Sequence, residues 1–377
     1  MPTADRTMAD RPAGQTEELV INMGPQHPST HGVLRVVLTV DGELVVDADP
    51  DVGYLHSSLE KIGEALTWRQ YVPYTDRYDY LSAINNEFAF VRAVEKLLGI
   101  EVTERCEYVR VIMAEVQRIA SHLMYFTAMG LDVGATTVYL HCFRDRERLI
   151  DLLENTTGQR LLYHYFRIGG LRNDLPCDFV DGLRSFIEYF PARLQEYDNL
   201  LTRNRVFRAR MEKVASISAA DAIRLGMSGP CLRACGVDHD LRKVLGYSVY
   251  PEFDFDVPVF QGGDAMSRHL VRCEEMRQSL RILEQAIAKL PAGEVNVNVP
   301  RAIKPEPGHV YERIEGPRGE VGCYLVSDGS EKPVRVRWRP PSYFNLQPLP
   351  VLMRGGYIAD TVVAIASLDI MLGDIDK

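Results

Sequence analysis

The sequence predicts a mainly α-helical α+β fold, in which a central helical bundle lies between a small N-terminal β-sheet and a small C-terminal β-sheet. Residues 18–50 alternate polar and apolar side chains, as strands do, and residues 55–291 carry apolar residues at helical spacing. Residues 309–377 begin with a further set of short alternating segments, which predicts a β-meander followed by a C-terminal segment. Because no repeat or low-complexity linker interrupts residues 18–377, we expect a single domain there.

Composition excludes several classes of protein. The chain has 377 residues, of which 46% are hydrophobic, enough for a substantial core, and its net charge of −9 argues against a nucleic-acid-binding groove. The seven cysteines are scattered and odd in number, which suits a reducing compartment. Residues 1–17 contain no apolar run, so we expect a disordered tail and no signal peptide. The apolar stretch at 362–367 is interrupted by Asp369, so no direct membrane span is predicted.

The first sheet is predicted from three short segments. ELVINM is followed by the loop GPQHPSTHG, and then VLRVVLTV and ELVVDADP flank the dipeptide Asp41-Gly42, a strong hairpin signal. The loop places His27 and His31 in a Gly- and Pro-rich turn between strands. Histidines in loops are most often surface or hydrogen-bonded structural groups, although rigid placement would also suit a metal ligand or a proton donor. Spacing alone leaves these alternatives open.

The helical bundle is predicted from apolar residues three and four positions apart. One helix should run from about residue 79 to Gly99, and the next, through residues 109–126, should stop at Gly130. Further helices are predicted at about 145–165, at 177–204 with an interruption at Pro191, and at 268–290, where Cys273 reads as a small core residue.

The C-terminal part begins with a predicted crossing loop at 292–308, rich in Val, Asn and Pro. The segments HVYERIE, GEVGCYLVSDG and VRVRWR then predict three strands joined by turns.

Local motifs give weak functional signals. Cys231, Cys235 and His239 are spaced four apart and could offer ligands to a soft metal, but a lone C-x3-C favours packing and loop roles. No dinucleotide-binding, Walker or nucleophile-elbow motif is present. The cluster YTDRYDYLS at 74–82 indicates either helix capping with core aromatics or a polar site, and we favour capping.

Longer stretches carry a resemblance to a known family. In order along the chain after the tail, they are NMGPQHPSTHGVLRVVLTVDGE, GYLHSSLEK, PYTDRYDYLSAINNEFAFVRAVEKLLGIEV, RVIMAEVQRIASHL, YFRIGGLRNDLP, FDFDVP, VRCEEMRQSLRILEQA, YLVSDG and SLDIMLGDIDK. They resemble the family of the D subunit, the quinone-site subunit (49 kDa type) of NADH-quinone oxidoreductase, or respiratory complex I. The resemblance implies the fold of the nickel-iron hydrogenase large subunit, to which that family is related.

Hydrogenases of that type hold their metals with an early R-x-C-x-x-C and a late D-P-C-x-x-C. On this chain the first pattern falls on Arg77, Asp79 and Ser82, and the second on Asp369, Ile370, Met371 and Asp374. All four cysteine positions are therefore replaced, by Asp79, Ser82, Met371 and Asp374. Nickel and iron in such a site require soft thiolates, so no metal is expected here and the resemblance assigns the cavity to quinone.

The same resemblance implies roles for single residues. His31 and Tyr80 would bind the quinone headgroup as the catalytic pair, and Asp132 would lie against His31 as the third member of the catalytic set. His27 and Met371 would help to shape the quinone cavity, and Arg77 would lie near the terminal iron-sulfur cluster of a partner subunit.

The resemblance also implies partners and a location. The substrate would be ubiquinone or menaquinone, with no covalently bound cofactor in this chain. The 4Fe-4S cluster would reside in the small B subunit, NADH and FMN in other partners, and the C subunit and the membrane-embedded H subunit would be neighbours. The complex would translocate protons, with this chain peripheral on the cytoplasmic side of the cell membrane. A donor other than NADH, a metal-free scaffold and a soluble hydrogenase are the competing hypotheses.

Three departures from the family pattern bear on these expectations. Leu162 occupies the position where the family usually has a histidine near the cluster, with His164 two residues on. The chain is shortened between Leu290 and His309, and Ile370 stands where proline is usual. The first departure puts a pH-dependent cluster potential in doubt, and the other two should alter only local turns.

Overall fold

The computed structural model describes residues 18–30 and 32–377, with Ser29 described by its backbone alone. The predicted tail at 1–17 and the predicted site residue His31 lie outside the described residues. The predicted mainly helical α+β class is confirmed, because a helical centre is flanked by two three-stranded antiparallel sheets.

The N-terminal sheet consists of β1 (Glu18–Met23), β2 (Arg35–Asp41) and β3 (Leu44–Asp51), in the order β1-β2-β3. The predicted hairpin is confirmed, and Gly42 takes the left-handed conformation, with φ of 63°, that such a tight turn favours. Alternate residues of β2 are buried, and this face packs against a short C-terminal helix.

Five long helices form the bundle, and shorter ones surround it. In chain order the helices are α1 (Leu59–Ala65), α2 (Trp68–Thr75), α3 (Ala83–Leu98), α4 (Glu104–Asp132), α5 (Thr136–Thr157), α6 (Phe179–Tyr197), α7 (Arg205–Met211), α8 (Ala219–Arg224), α9 (Gly229–Arg233), α10 (Leu241–Val244) and α11 (Ala265–Lys289). A two-residue hairpin, β4 (Phe166–Arg167) and β5 (Gly170–Leu171), interrupts the series after α5, and a π-helical turn, Asp198–Thr202, follows α6.

Several predicted helix ends are correct and others are wrong. α3 ends at Gly99 and α11 ends just before Leu290, as predicted. α4 passes through Gly130 to Asp132, and the helix predicted at 145–165 is wrong at both ends, because α5 occupies Thr136–Thr157 and the left-handed Gly158 terminates it. The interruption predicted at Pro191 is also wrong. Pro191 is exposed within α6, where the carbonyl that loses its partner can bond to water.

The C-terminal part contains β6 (Gly308–Gly316), β7 (Gly319–Ser327) and β8 (Arg335–Arg339), which form the predicted meander. Four short helices that were not predicted follow it: α12 (Pro341–Leu346), α13 (Leu349–Met353), α14 (Ile358–Leu368) and α15 (Leu372–Asp376). A search of the described residues finds no helix with the length and apolar character needed to cross a membrane.

Candidate functional site

Two segments that are distant in sequence meet beside the bundle. One is 77–82, between α2 and α3, and the other is 369–374, at the junction of α14 and α15. Their backbones approach so closely at Gly373 that a Cβ atom there would lie 2.7 Å from the Tyr78 carbonyl oxygen and 3.0 Å from that of Arg77. The fold therefore brings together the two stretches onto which the hydrogenase metal-binding patterns fall.

Arg318 lies at the junction of these segments. Its side chain is almost completely buried, and Nη1 donates to Asp79 Oδ2 at 2.7 Å. Nε donates to the Asp369 carbonyl oxygen at 2.8 Å, and Nη2 reaches Asp369 Oδ1 at 3.3 Å. Arg318 belongs to the turn between β6 and β7, so the C-terminal sheet supplies a cation to the site.

Electrostatics at this junction follow from burial and from the crowding of carboxyl groups. Burial lowers the pKa of Arg318, but the carboxylates of Asp369 and Asp79 outweigh it, so that the pKa lies above its usual value. Burial raises the pKa of Asp79 despite the opposing effect of Arg318. Burial, followed by repulsion from Asp79, also raises the pKa of Asp374 to about 7.

The donor set at this junction does not suit a nickel-iron centre. Asp79 is paired with Arg318, and Oδ2 of Asp374 accepts a hydrogen bond from the Ser342 backbone N–H at 3.0 Å. Within 18–30 and 32–377 there is no cluster of three or more His, Cys, Asp or Glu side chains arranged to hold a metal ion. The carboxylates are instead neutralised by a guanidinium, which cannot perform metal chemistry.

The segment 77–82 forms a polar site, so the capping interpretation of YTDRYDYLS is wrong. Ser82 occupies the N-cap position of α3, but its side chain makes no capping bond to the backbone and instead accepts from Asn85 Nδ2 at 3.0 Å. Asp79 turns away from the helix start, because its ion pair with the distant Arg318 requires that orientation. Helix capping is a local signal, and here a long-range ion pair overrides it.

Tyr80 is half-buried at this site. Oδ1 of Asp79 accepts from the Leu81 N–H at 3.1 Å, which fixes the turn that carries Tyr80. Burial, followed by the negative charge of Asp79, raises the pKa of the Tyr80 hydroxyl, so it stays protonated at neutral pH and can donate a hydrogen bond.

The histidine loop can be followed on either side of His31. Thr30 is buried, its Oγ1 donates to the His27 carbonyl oxygen at 2.9 Å, and His27 forms a β-bridge with Gly32. A Cβ atom at Gly32 would lie 3.1 Å from Leu372 Cδ1, so this end of the loop abuts α15. The side chain of His27 is exposed.

The other residues predicted for the site occupy different environments. Met371 is buried, and its N–H donates to Ser342 Oγ at 3.2 Å. Arg77 is exposed, and its guanidinium lies 5.8 Å from the centre of the Tyr74 ring. Asp132 is half-buried at the last residue of α4. The fold thus joins the segments of Arg77, Tyr80 and Met371, while Asp132 belongs to neither segment.

A buried carboxyl pair near this site was missed by the sequence analysis. Asp76 Oδ2 accepts from the His164 N–H at 3.0 Å, and Glu87, which is hydrogen-bonded to Asp76, accepts from the Phe166 N–H at 2.6 Å. Burial is the main cause that raises the pKa of Asp76 to about 6, and it raises that of Glu87 still further. The pair holds the loop that follows Leu162. Only the fold reveals it, because Glu87 lies in a helix pattern that reads as an ordinary polar position.

The cysteines of the weak C-x3-C motif lie in the second hydrophobic core. Cys231 Sγ is 3.6 Å from the Leu368 carbonyl oxygen, and Cys235 Sγ donates to the Cys231 carbonyl oxygen at 3.4 Å. Cys273 is buried in the main core beside His269, in line with the packing role predicted for it.

Comparison with known proteins gives a consistent result. The family model described as "Respiratory-chain NADH dehydrogenase, 49 Kd subunit" matches residues 132–306 and 297–377. The chain is 48% identical over 363 residues to the D subunit of NADH-quinone oxidoreductase from Geobacillus thermodenitrificans, which covers 96% of this chain and 99% of the relative. It is 46% identical over 390 residues to the D 2 subunit of the same enzyme from Koribacter versatilis, covering 97% of each, and 46% identical over 363 residues to the D subunit from Bacillus anthracis, covering 96% of this chain and 99% of that relative.

Proposed function

This chain belongs to the family of the 49-kDa subunit of respiratory-chain NADH dehydrogenase, and on that premise we propose that it is the quinone-site subunit of a proton-pumping NADH-quinone oxidoreductase. It would form, with the small iron-sulfur subunit, the cavity in which quinone is reduced. The observation that carries the proposal is the junction of segments 77–82 and 369–374, where carboxylates and Arg318 stand in place of a metal centre.

Reduction of a quinone consumes two electrons and two protons, so the site needs hydrogen-bond donors at both ring oxygens. The partner's 4Fe-4S cluster would supply the electrons. The Tyr80 hydroxyl, which is held protonated, would donate to one oxygen. His31 would donate to the other oxygen, and the carboxylate of Asp132 against it would favour the charged imidazolium.

The remaining predicted residues would shape the cavity and its electron input. Met371 is apolar and buried beside the junction, which suits contact with a quinone ring, and His27 would support the loop that carries His31. Arg77 is exposed, which suits a position facing the cluster of the small iron-sulfur subunit. The C and H subunits would be further neighbours, and the complex would hold this chain at the cytoplasmic side of the cell membrane as a peripheral component.

The electron donor is proposed from the names of the relatives. They are called NADH-quinone oxidoreductase subunits, and this supports NADH, with FMN in a partner protein, as the input. The described chain contains no input module, so a related complex with another donor is the alternative. Flavoprotein subunits that copurify with this chain and oxidise NADH would support the first; copurifying subunits that oxidise another donor would support the second.

The proposal is tested by Tyr80→Phe and His31→Ala in the purified complex. Both variants should lose most quinone reductase activity, while electron transfer from the donor to an artificial acceptor that bypasses quinone should be retained. Full quinone reductase activity in both variants, with a native quinone, would contradict the site assignment.

A further inference from the structure

We propose that Arg318 is a positioning residue of the quinone site, where its guanidinium joins the segments 77–82 and 369–374 and so fixes Tyr80 relative to Met371. The proposal rests on the proposed function, because it assigns a structural duty within that same site. It adds a residue of the C-terminal sheet to a site otherwise built from the N-terminal loop, the start of α3 and the C-terminal segment.

Arg318 contacts three separate parts of the fold through one side chain. Nη1 donates to Asp79 Oδ2 at 2.7 Å and to Ser121 Oγ of α4 at 3.1 Å. Nε and Nη2 both bond to Asp369, at its carbonyl oxygen and its carboxylate, at 2.8 and 3.3 Å. A planar guanidinium offers five N–H donors in a fixed fork, so these bonds constrain the direction as well as the distance of each partner.

The backbone that carries Arg318 is itself firmly held. Asn345 Nδ2 donates to the Arg318 carbonyl oxygen at 2.9 Å. The next residue, Gly319, has φ of 130° and packs so tightly that a Cβ there would lie 2.8 Å from the Ser228 carbonyl carbon and closer still to Ser228 Oγ. Because the turn cannot shift without disrupting these contacts, Arg318 acts as a fixed point against which the two segments are placed.

Each segment passes the constraint to a predicted quinone contact. Asp79 precedes Tyr80 in sequence, and its carboxylate bonds to Arg318 through Oδ2 and to the Leu81 N–H through Oδ1 at 3.1 Å. Asp369, in the left-handed conformation with φ of 55°, lies two residues before Met371. Loss of the guanidinium would release both segments at once.

The charge balance makes this arrangement hard to replace. Arg318, Asp79 and Asp369 are all buried, so removal of the cation would leave two carboxylates without a counter-ion, which is strongly destabilising. Lysine offers a point charge on a flexible stem with no planar fork. It would preserve the charge but could not hold both segments in the same geometry.

The test compares Arg318→Lys and Arg318→Gln with Arg242→Gln in the assembled complex. Arg242 is a matched control, because it is also fully buried and pairs with two carboxylates, Asp240 at 2.6 Å and Glu115 at 3.2 Å. It lies in a separate part of the core. All variants are assayed for assembly, for quinone KM and kcat, and for electron transfer to an artificial acceptor.

A misplacement of about 1 Å can cost up to about 100-fold in rate. We therefore expect Arg318→Lys to lower kcat/KM for quinone on the order of tenfold, mainly through a higher KM, and Arg318→Gln to lower it further. The artificial-acceptor rate per assembled complex should be unchanged, and Arg242→Gln should change only the amount of complex that assembles. If Arg318→Gln does not assemble, Arg318→Lys decides the question.

Tyr80→Phe in the same assay separates the two proposals. If it lowers quinone reduction while Arg318→Lys keeps kcat and KM within about twofold of the wild-type values, the positioning role is overturned and the proposed function stands. If Tyr80→Phe retains full activity, the proposed function fails. An equal loss of quinone affinity in Arg242→Gln would also overturn the positioning role, because it would show a general effect of buried ion pairs.

Discussion

Replacement of Gly373 by alanine should push apart the two segments that form the candidate quinone site. An ideal Cβ at this position lies 2.7 Å from the Tyr78 carbonyl oxygen and 3.0 Å from the Arg77 carbonyl oxygen. Close carbon–oxygen contacts in proteins are about 3.3 Å or longer. The backbones of the two segments must therefore separate by roughly 0.6 Å, since carbonyl oxygens have no rotamer by which to move aside.

The energetic cost can be estimated from the same contact. Overpacking by one methyl group in a tight site typically costs about 1 to 3 kcal/mol. Gly373 lies in the short helix α15 and its φ is not left-handed, so alanine would regain up to about 1 kcal/mol of helix propensity. The net loss of stability is then small, about 0 to 2 kcal/mol, and the complex should still assemble.

The functional effect should be larger than the effect on stability. A displacement of about half an ångström between Tyr80 and Met371 should reduce kcat/KM for quinone on the order of tenfold, given that about 1 Å can cost 100-fold. Steady-state kinetics of the purified complex with a soluble quinone measure this directly. Gly308→Ala is the control, because a Cβ at Gly308 meets only the Glu306 carbonyl oxygen, at 3.9 Å. Unchanged quinone kinetics in Gly373→Ala would refute the close-packed junction as a determinant of the site.

Three further predictions concern stability and are checked by amide hydrogen exchange in the assembled complex. Asp374, with a pKa of about 7 when folded and about 3.9 when unfolded, keeps a proton that the unfolded chain loses, so stability should fall as pH rises between these values, by up to about 1.4 kcal/mol per unit; Asp374→Asn should abolish this dependence at α15, and an unchanged dependence would contradict it. Thr103→Ala should cost about 1 kcal/mol at the start of α4, since Oγ1 accepts from the Cys106 N–H at 3.2 Å; unaltered protection there would refute the cap. Leu149→Ala in the α5 core should cost about 2 to 5 kcal/mol, whereas Ile223→Ala, 59% exposed, should change little; similar effects of the two would contradict the assigned burial.

Features that depend on neighbouring residues were predictable from sequence. The hairpin at Gly42 and the end of α3 at Gly99 were both found, because a glycine with positive φ marks each of them. The long helices α4 and α11 were found, because each buries a stripe of apolar residues against the bundle.

Features that depend on tertiary contacts were not. Pro191 reads as a helix breaker, yet α6 continues through it because the residue faces solvent. The helices α12, α13 and α15 are only 5 or 6 residues long, too short to show a helical period. Segment 158–165 carries apolar residues such as Tyr163 and Tyr165 that are buried without being helical.

The site shows the same division. The family resemblance identified the two segments that meet, including Asp79 and Asp374, and the structure brings them together at Gly373. Arg318 gave no signal in the sequence, because its partner Asp79 is 239 residues away and no local pattern links them. The choice between capping and a polar site at 74–82 was wrong for the same reason.

The central claim is that quinone is reduced between Tyr80 and His31. A structure of the assembled complex with quinone bound tests it most directly. One ring oxygen should lie within about 2.6 to 3.2 Å of the Tyr80 hydroxyl, with the other facing the His31 imidazole. A headgroup that is bound and reducible while it contacts neither side chain would contradict the assignment.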